Sequence, residues 1–412
     1  MIIDSKQYSG ICSCGREHSL FTELCVVERG CMKQFERYLA QFSMQGFRTV
    51  VYDENTYEAT RGVHPSADCE VVLNPDNLHA NEHGVALLQE KLPKQTAVLV
   101  AVGSGTIHDI TRYCAFVAGV PFVSCPTAAS VDGFCSSVAA MTWEGAKKTL
   151  TAVAPKLVIA DLDIIAKAPI RLARSGFGDI VGKYIALADW KIAHRLTGEF
   201  FCNRICDLMA DATQAVMGSA KGIATGDVSA YEKLTYGLLL SGLAMQMMGN
   251  SRPASGAEHH ISHFIEMAPE GLGVISDALH GEKVGVATIL ASEEYHRLAA
   301  ADPAWQDYPT IAQADMYAVF GDALTRQVMA ENQADAAKGI TATQIQAHWD
   351  EICAIIKDIP TAKDLFDLYC AIGAKALLSD IGIPQSKKEL LLNYSPCVRN
   401  RLTLMRLRRG IV

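Results

Sequence analysis

The sequence predicts a two-domain protein, in which an N-terminal α/β domain with a mainly parallel sheet precedes an all-helical domain. The chain has 412 residues, half of them hydrophobic, which is enough to build two cores. Short β-branched runs alternate with helical stretches in the first third, and long helical patterns replace them from about residue 180 onward. The boundary is predicted near Lys167-Ala168-Pro169, which gives domains of residues 1–166 and 167–412.

The strand predictions rest on short apolar runs bounded by turn residues. Runs rich in valine, isoleucine and aromatic residues are typical of strands that are buried on both faces of a parallel sheet. Helical periodicity dominates further along, for example over residues 236–245. The five predicted strands span residues 47–52, 70–73, 96–102, 121–125 and 157–160.

Composition excludes several classes of function. The 37 basic and 45 acidic residues give a net charge of −8, which offers no electrostatic footprint for nucleic acid. No apolar run approaches the ~20 residues that span a bilayer, and the N-terminus lacks the apolar core of a signal peptide. The 13 cysteines are scattered and odd in number, which favours reduced thiols over a disulfide scaffold. We therefore expect a cytoplasmic protein without membrane insertion.

The N-terminal segment contains Cys12, Cys14 and His18, all residue types that bind zinc. Structural zinc usually has two closely spaced pairs of ligands. Here no fourth ligand follows at such a spacing, because Cys25 and Cys31 are isolated. A tight turn is therefore favoured over a metal site.

Four of the 12 histidines lie close together, in Glu-His-His-Ile-Ser-His at 258–263 and Leu-His-Gly-Glu at 279–282. Residues i and i+4 share a helix face, so His259 and His263 would point the same way, one toward a metal and one toward a substrate. Asp179 lies upstream and can join them. One aspartate and two histidines suit zinc, iron or nickel and leave coordination positions open for chemistry. Solvated or packed histidines on ordinary helices are the alternative.

A phosphate-binding loop is predicted at residues 103–109, directly after the strongest strand. Its glycines would let backbone amides approach a pyrophosphate, and the helix N-terminus that follows favours negative charge. His108 occupies the third glycine position of the usual motif, so a plain tight turn is the alternative. Asp53, at the end of an earlier strand, could accept hydrogen bonds from ribose hydroxyls. In the usual dinucleotide fold this acid follows the glycine loop, so the connectivity differs.

A second loop of interest, residues 126–136, follows another predicted strand. It supplies several hydroxyls together with Asp132. These groups could hold the nicotinamide end of a cofactor and one edge of a polyol. A capped loop without a ligand is the alternative.

Taken together, these motifs resemble the sn-glycerol-1-phosphate dehydrogenase family, and more closely its bacterial branch. That family belongs to the superfamily of iron-containing alcohol dehydrogenases, glycerol dehydrogenase and dehydroquinate synthase. The resemblance covers nearly the whole chain, and its more specific motifs are Glu-His-x-x-Ser-His and Gly-Asp-x-x-Gly-Lys at 178–183. The further motifs are Asp-Glu-Asn-Thr at 53–56, Gly-Ser-Gly-Thr at 103–106, Thr-Ala-Ala-Ser-Val-Asp-Gly at 127–133 and Leu-His-Gly-Glu at 279–282.

The resemblance implies an NAD(P)-binding N-terminal domain, a metal- and substrate-binding helical domain, and a homodimer. It implies that Asp179, His259 and His280 bind one divalent metal ion, which would be zinc, nickel or iron. Asp179 and His263 would be catalytic and, with Asp132, would contact the substrate. The implied cofactor contacts are Asp53, Gly105, Thr106, Ile107, His108, Asp109, Thr127, Ala128, Ala129, Ser130 and Ser136.

One feature departs from the family pattern. His260 is an extra imidazole beside the expected ligand, and the spacing to His263 favours His259 as the ligand. A phosphorylated substrate also needs a cation, and Lys183 lies one helical turn after Asp179. Lys183 is therefore a candidate for phosphate recognition, with a salt bridge as the alternative. Arg252 is a weaker second candidate.

The activity implied by the resemblance is the reduction of dihydroxyacetone phosphate to sn-glycerol 1-phosphate, and its reversal, with NAD or NADP as cofactor. This would place the protein in phospholipid metabolism. A metal would stabilise the alkoxide, and His263 or a water on the metal would supply a proton near neutrality. The alternatives are a glycerol or other polyol dehydrogenase, a cyclase resembling dehydroquinate synthase, and a noncatalytic helical scaffold.

Overall fold

A seven-stranded sheet and a large set of helices make up the fold. The computed structural model describes residues 1–42, 44–144, 146–301, 303–309 and 311–411. Its strands are β1 Ile2–Asp4, β2 Gly10–Ile11, β3 Glu17–His18, β4 Leu24–Glu28, β5 Phe47–Asp53, β6 Cys69–Leu73, β7 Thr96–Gly103, β8 Phe122–Pro126, β9 Val138–Trp143, β10 Ala146–Thr151 and β11 Leu157–Asp161. Its helices are α1 Phe35–Leu39, α2 Glu54–Ala59, α3 Glu82–Lys91, α4 Gly105–Ala118, α5 Leu162–Ile165, α6 Ile170–Val181, α7 Lys183–Thr197, α8 Asn203–Met217, α9 Ala220–Thr225, α10 Val228–Met248, α11 Ala257–Met267, α12 His280–Ala301, α13 Gln313–Glu331, α14 Ala342–Ala347, α15 Trp349–Lys357, α16 Ala362–Ile372, α17 Lys388–Tyr394 and α18 Leu404–Leu407.

The large sheet has the strand order β1-β4-β11-β8-β7-β5-β6. Its neighbouring strands run parallel except at one edge, where β1 pairs with β4 antiparallel. The predicted mainly parallel sheet is therefore confirmed, and all five predicted strands belong to it. The sequence reasoning missed β4, whose apolar run is short, and the β9–β10 hairpin, whose strands carry alanine, threonine and lysine.

Both faces of this sheet are buried, as the continuous apolar runs predict. Along β7, Val98, Val100 and Val102 belong to one core, which also contains Phe35 of α1. The alternate residues, such as Leu99, belong to a second core that contains residues of α3 and α4. Successive side chains of a strand point to opposite faces of the sheet, so helices pack on both faces. This packing positions the loops at the strand ends.

After β11 the described residues form helices, apart from an isolated bridge between Trp305 and Ile411. The prediction of a helical C-terminal region is confirmed. Its core includes Ile261 and Phe264 of α11 together with residues of α12. This packing positions the two helices that carry the clustered histidines. Among the described residues, no helix combines the length and hydropathy needed to cross a membrane.

Two compact units interleave along the chain. One consists of Met1–Ile180 and Gln214–Asn250, and the other of Val181–Thr213 and Ser251–Val412. The sheet and α10 belong to the first unit, whereas α11 and α12 belong to the second. The division into residues 1–166 and 167–412 stays a prediction.

Candidate active site and metal centre

Three of the predicted cofactor-binding segments follow adjacent strands of the sheet. Strands β8, β7 and β5 lie side by side and parallel, so their C-terminal ends meet at one edge. Asp53 ends β5, and Gly103 at the end of β7 pairs with Pro126 at the end of β8. The amide of Thr127 donates to the carbonyl of Gly103 at 3.0 Å, which ties two of the loops together. Ligands of open parallel sheets commonly bind at this edge.

The glycine loop has the predicted strand–loop–helix form. Gly103 ends β7 and Gly105 begins the 14-residue helix α4. A Cβ atom at Gly103 would lie 2.6 Å from the Cβ of Ile107, so a side chain is excluded there. The hydroxyl of Ser104, the N-cap residue, makes no capping hydrogen bond. The first amides of α4 therefore receive no acceptor from this side chain, as in helix N-termini that bind phosphate.

His108, in the same loop, is a packed structural residue. Its Nδ1 lies 2.9 Å from the carbonyl oxygen of Ser104 and its Nε2 lies 2.8 Å from the hydroxyl of Ser124. Burial, reinforced by the positive charge of Arg112, lowers the pKa of His108 to about 3. The imidazole is therefore neutral and serves the fold. A cofactor contact of His108 stays a prediction, and it would involve the backbone.

Asp53 acts as a helix cap. Its Oδ1 accepts a hydrogen bond from the amide of Thr56 at 2.8 Å, and the hydroxyl of Thr56 accepts one from the amide of Asp53. This capping box holds the carboxylate at the start of α2 and at the edge of the sheet. Capping uses Oδ1 of Asp53. A hydrogen bond from a ribose hydroxyl to Oδ2 is compatible with this geometry.

The loop after β8 packs closely against helix α6. A Cβ atom at Gly176 would lie 2.1 Å from the carbonyl oxygen of Ala129, so glycine is required there. The hydroxyl of Ser175 donates to the carbonyl of Ser130 at 3.2 Å. Within this loop the hydroxyl of Ser136 closes a local turn by bonding the backbone of Val138. The close approach of α6 places Asp179 beside the loop.

Asp179 and Asp132, predicted from distant motifs, are brought into contact. Oδ2 of Asp179 accepts a hydrogen bond from the amide of Asp132 at 3.0 Å. Oδ2 of Asp132 accepts one from the hydroxyl of Ser241 at 2.8 Å. Asp179 is fully buried. Its carboxylate is thus oriented by the backbone of the same loop that carries the predicted substrate residue.

The histidines at 259, 263 and 280 form a triangle of imidazole rings. His259 and His263 lie on α11, and His280 is the first residue of α12. The ring centroids of His259 and His280 are 5.4 Å apart, those of His263 and His280 are 5.7 Å apart, and those of His259 and His263 are 6.0 Å apart. The predicted i, i+4 pair, His259 and His263, therefore lies close to His280.

Carboxylates orient two of these rings. Nδ1 of His259 lies 2.7 Å from Oε1 of Glu258, and Nδ1 of His280 lies 2.8 Å from Oε1 of Glu266. An ionised carboxylate only accepts hydrogen bonds, so Nδ1 of each ring carries the proton. The Nε2 lone pairs then face away from the carboxylates. Histidines that bind a metal ion usually donate their outer N–H to a carboxylate or a carbonyl in this way.

His263 differs from its two neighbours in its environment. Burial lowers the pKa of His263 to about 4, and the positive charges of His280 and Arg399 also act to lower it. Its Nδ1 lies 3.4 Å from Oε2 of Glu266, which acts in the opposite direction. The imidazole is therefore neutral at pH 7, and its role in proton transfer stays a prediction.

His260 lies in a different environment from its neighbour His259. It is fully buried, and neither of its ring nitrogens has a hydrogen-bond partner among the described residues. Burial, together with the charges of Arg401 and Arg406, lowers its pKa well below the usual range. His260 is not part of the group of possible metal ligands that contains His259. The geometry thus favours His259 as the ligand.

Asp179, His259 and His280 form a group that could hold a metal ion. Each offers one ligand atom, and these atoms lie within 4.8 Å of one another. The donors are one carboxylate oxygen and two imidazole nitrogens, which suit zinc, nickel or iron better than magnesium or calcium. Three protein ligands leave coordination positions for a substrate, as in catalytic rather than structural sites.

The two cationic candidates for phosphate recognition differ in their contacts. Lys183, fully buried at the start of α7, donates from Nζ to the carbonyl of Ala254 at 3.0 Å. Arg252 donates to the carbonyls of Asp189 and Leu402 and lies 3.0 Å from Glu199. Arg252 therefore holds backbone segments together, which weakens its candidacy.

Sequence reasoning missed the residues that orient the candidate ligands. Glu266 lies three residues after His263, and Glu258 directly precedes His259, yet neither was assigned a role. A glutamate at i+3 of a motif histidine is a signal that could have identified Glu266. Ser241, in the middle of an apolar helix, had no recognisable signal.

The sequence is similar to curated proteins along nearly its whole length. It is 32% identical to a glycerol-1-phosphate dehydrogenase of Halalkalibacterium halodurans, over 98% of this chain and 97% of that protein. It is 31% identical to a protein of the same name from Geobacillus stearothermophilus, over 96% and 94% of the two chains. Both names carry the cofactor qualifier NAD(P)+. Residues 26–169 match the family model described as iron-containing alcohol dehydrogenase.

Solved structures of other proteins have the same fold. A probable glycerol dehydrogenase from Sinorhizobium meliloti 1021 matches with a TM-score of 0.60 and 18% identity, over 94% of this chain and 92% of that one. An iron-containing alcohol dehydrogenase from Corynebacterium glutamicum matches with a TM-score of 0.61 and 16% identity, over 94% and 91%. At these identities the likeness establishes the fold.

Proposed function

This chain belongs to the glycerol-1-phosphate dehydrogenase family of the iron-containing alcohol dehydrogenase superfamily, and we propose that it reduces dihydroxyacetone phosphate to sn-glycerol 1-phosphate. The reaction consumes one NADH or NADPH and one proton, and it is reversible. The observation that carries the proposal is the pair of histidines whose Nδ1 atoms are held by Glu258 and Glu266. Carboxylates that accept a hydrogen bond from the outer nitrogen of a ligating histidine are expected around a catalytic metal ion.

The metal would be bound by Asp179, His259 and His280. A bound zinc, nickel or iron ion would act as a Lewis acid on the ketone oxygen of the substrate. Glu258 and Glu266 would fix the tautomer of the two imidazoles so that Nε2 is available to the ion. The amide of Asp132 would orient the carboxylate of Asp179.

His263 would handle the substrate proton. Since its pKa is about 4, the ring is neutral at pH 7, and Nδ1 can carry a proton toward Glu266. Nε2 would then accept the hydroxyl proton when glycerol phosphate is oxidised and release it to solvent. In ketone reduction the ring would first take up a proton from solvent at Nε2 and pass it to the forming alkoxide. The carboxylate of Asp132 would accept a hydrogen bond from a hydroxyl of the substrate. The hydroxyl of Ser241, which donates to Oδ2, would hold this carboxylate in place.

The cofactor would lie along the sheet edge, with its nicotinamide supplying the hydride. Its pyrophosphate would meet the open N-terminus of α4 at Gly105, Thr106 and Ile107, with the backbone of His108 and Asp109 behind them. Asp53 would bind ribose hydroxyls, and that carboxylate favours NAD over a 2′-phosphorylated cofactor. The nicotinamide half would contact Thr127, Ala128, Ala129, Ser130 and Ser136.

Lys183 would recognise the phosphate of the substrate. Its side chain is fully buried and follows Asp179 by four residues in the sequence, and an ammonium group forms charge-assisted hydrogen bonds with phosphate oxygens. Lys183→Gln should raise KM for dihydroxyacetone phosphate about tenfold, as expected for the loss of one charged contact of ~1.4 kcal/mol. It should not change KM for unphosphorylated dihydroxyacetone. An equal increase in KM for both ketones would mean that Lys183 stabilises the structure and does not recognise phosphate.

The test of the proposed function is the oxidation of NADH and NADPH by the metal-loaded protein with each of the two ketones. Turnover restricted to the phosphorylated ketone, with the sn-1 isomer as product, is the expected result. Turnover of free dihydroxyacetone alone would indicate a glycerol dehydrogenase instead. A dehydroquinate-synthase-like cyclase returns its cofactor unchanged, so it would show no sustained NADH consumption. A homodimer and a cytoplasmic location stay predictions.

A further inference from the structure

A second group of metal-binding side chains lies around the N-terminal hairpin. Strands β2 and β3 pair antiparallel, and the turn between them is closed by hydrogen bonds from the amide of Cys12 to Arg16 and from Gly15 to Cys12. Gly15 has a φ of +83°, which a side chain would disfavour. This turn brings Cys12, Cys14 and His18 together, although their sequence alone predicts no more than a tight turn.

The fourth member of the group comes from far along the chain. Cys202, directly before α8, joins Cys12, Cys14 and His18, and the four ligand atoms lie within 4.8 Å of one another. Cys12, His18 and Cys202 are buried, and Cys14 is half-buried. Sγ of Cys14 lies 3.4 Å from Nε2 of His18. Two ligands of one tetrahedral zinc ion, with bonds of about 2.0 and 2.3 Å, are separated by roughly 3.5 Å, so this pair needs little adjustment.

The orientation of His18 is fixed by a backbone carbonyl. Its Nδ1 lies 2.8 Å from the carbonyl oxygen of Met247, and a carbonyl oxygen only accepts hydrogen bonds. Nδ1 therefore carries the proton, and the Nε2 lone pair faces Cys14. In metal-binding histidines, the nitrogen that does not face the metal usually donates to a carbonyl or a carboxylate in this way.

We propose that Cys12, Cys14, His18 and Cys202 bind one zinc ion in a closed structural site. Three thiolates and one imidazole complete a tetrahedral shell and leave no position for a substrate. Binding releases three thiol protons to solvent, and the site then carries a net charge of −1. The site is chemically distinct from the Asp179, His259 and His280 group, which contains no sulfur.

Cobalt substitution separates the two metal sites without relying on activity. Cobalt(II) bound to thiolates gives an intense thiolate-to-metal charge-transfer band, whereas cobalt bound to oxygen and nitrogen alone does not. We expect this band in the full-length cobalt-loaded protein and in Asp179→Asn, and we expect its loss in Cys14→Ser and Cys202→Ser. Cys370→Ser, at an exposed cysteine, is the matched control and should keep the band.

A second pair of variants separates metal binding from simple packing. His18→Ala should lose zinc during dialysis, whereas His18→Cys, which restores four ligands, should retain one zinc per chain by mass spectrometry of the metal. If a variant does not fold, the spectrum of the wild-type protein still decides the question. Absence of the thiolate band in the wild-type protein would overturn the proposal. So would a disulfide among Cys12, Cys14 and Cys202 in the freshly purified protein, or full zinc retention by Cys14→Ser.

Discussion

The glycine loop and the helix pair α11–α12 both bury histidines, but they hold the rings differently. In the loop, both nitrogens of His108 are paired, one with a backbone carbonyl and one with a serine hydroxyl. In the helix pair, Nδ1 of His259 and of His280 is held by a carboxylate. One ring nitrogen of each histidine belongs, with Asp179, to the group that could hold a metal ion. Burial is common to both regions, so burial alone does not identify a functional histidine.

We infer from this comparison that the partner of each ring nitrogen distinguishes a structural histidine from a candidate metal ligand. A neutral ring with a donor and an acceptor on its two sides fills a place in the core. A ring with a carboxylate on one side has raised basicity at the other nitrogen, which favours a cation there. His18 shares this asymmetry, with a carbonyl in place of the carboxylate. The predictions below test this distinction.

The largest effect is expected from removing a ligand. His259→Ala should lower kcat/KM on the order of a thousandfold, because the charge stabilisation that a metal supplies is worth several kcal/mol. Metal content should fall in parallel, whereas the thermal unfolding temperature should change little. His83→Ala, at an exposed histidine, is the control and should keep full activity. Full metal content together with normal turnover in His259→Ala would remove His259 from the ligand set.

A smaller effect is expected from the carboxylate behind the metal. Glu266→Gln removes the negative charge that faces Nδ1 of His280, so metal affinity should fall about ten- to hundredfold. Affinity is measured by competition with a chelator of known stability, in the absence of substrate. Glu90→Gln, at an exposed glutamate, should leave affinity unchanged. An unaltered affinity in Glu266→Gln would show that this carboxylate serves packing only.

The smallest effect is expected at His108 and concerns stability. The folded ring has a pKa of about 3, whereas an unfolded histidine has one of about 6.5. Its contribution is complete above about pH 6.5 and is lost as the pH falls, because the unfolded state binds the proton first. At about pH 5.5 this loss should reach ~1.4 kcal/mol. His108→Gln should remove it.

The experiment compares the free energies of unfolding in urea for the two proteins between neutral and mildly acidic pH. The difference between wild type and His108→Gln isolates one histidine from the other eleven. The two stability curves should converge as the pH falls. Parallel curves would mean that the ring of His108 is protonated in the folded protein, and the contrast between the two regions would then weaken.

The sheet and the residue types of the candidate ligands could be predicted from the sequence, whereas the residues that surround the ligands were not identified. The apolar runs of β5 to β8 are visible because both faces of the sheet are buried, and the histidine motif is visible because its spacing matches a helix. Glu266 was not assigned, because the i+3 spacing to His263 is shared by many solvated helical glutamates and the burial of Glu266 arises from packing. Cys202 was missed for a related reason, because it lies far along the chain from Cys12, Cys14 and His18, and the four ligand atoms are near one another only in the folded chain.

The most direct test of the central claim is to remove the metal with a chelator and restore it while following NADH oxidation with dihydroxyacetone phosphate. We expect the stripped protein to be inactive and one equivalent of nickel or zinc per chain to restore turnover in the wild type but not in Asp179→Asn. A stripped protein that turns over at the full rate would contradict the assignment of Asp179, His259 and His280 as a catalytic metal centre.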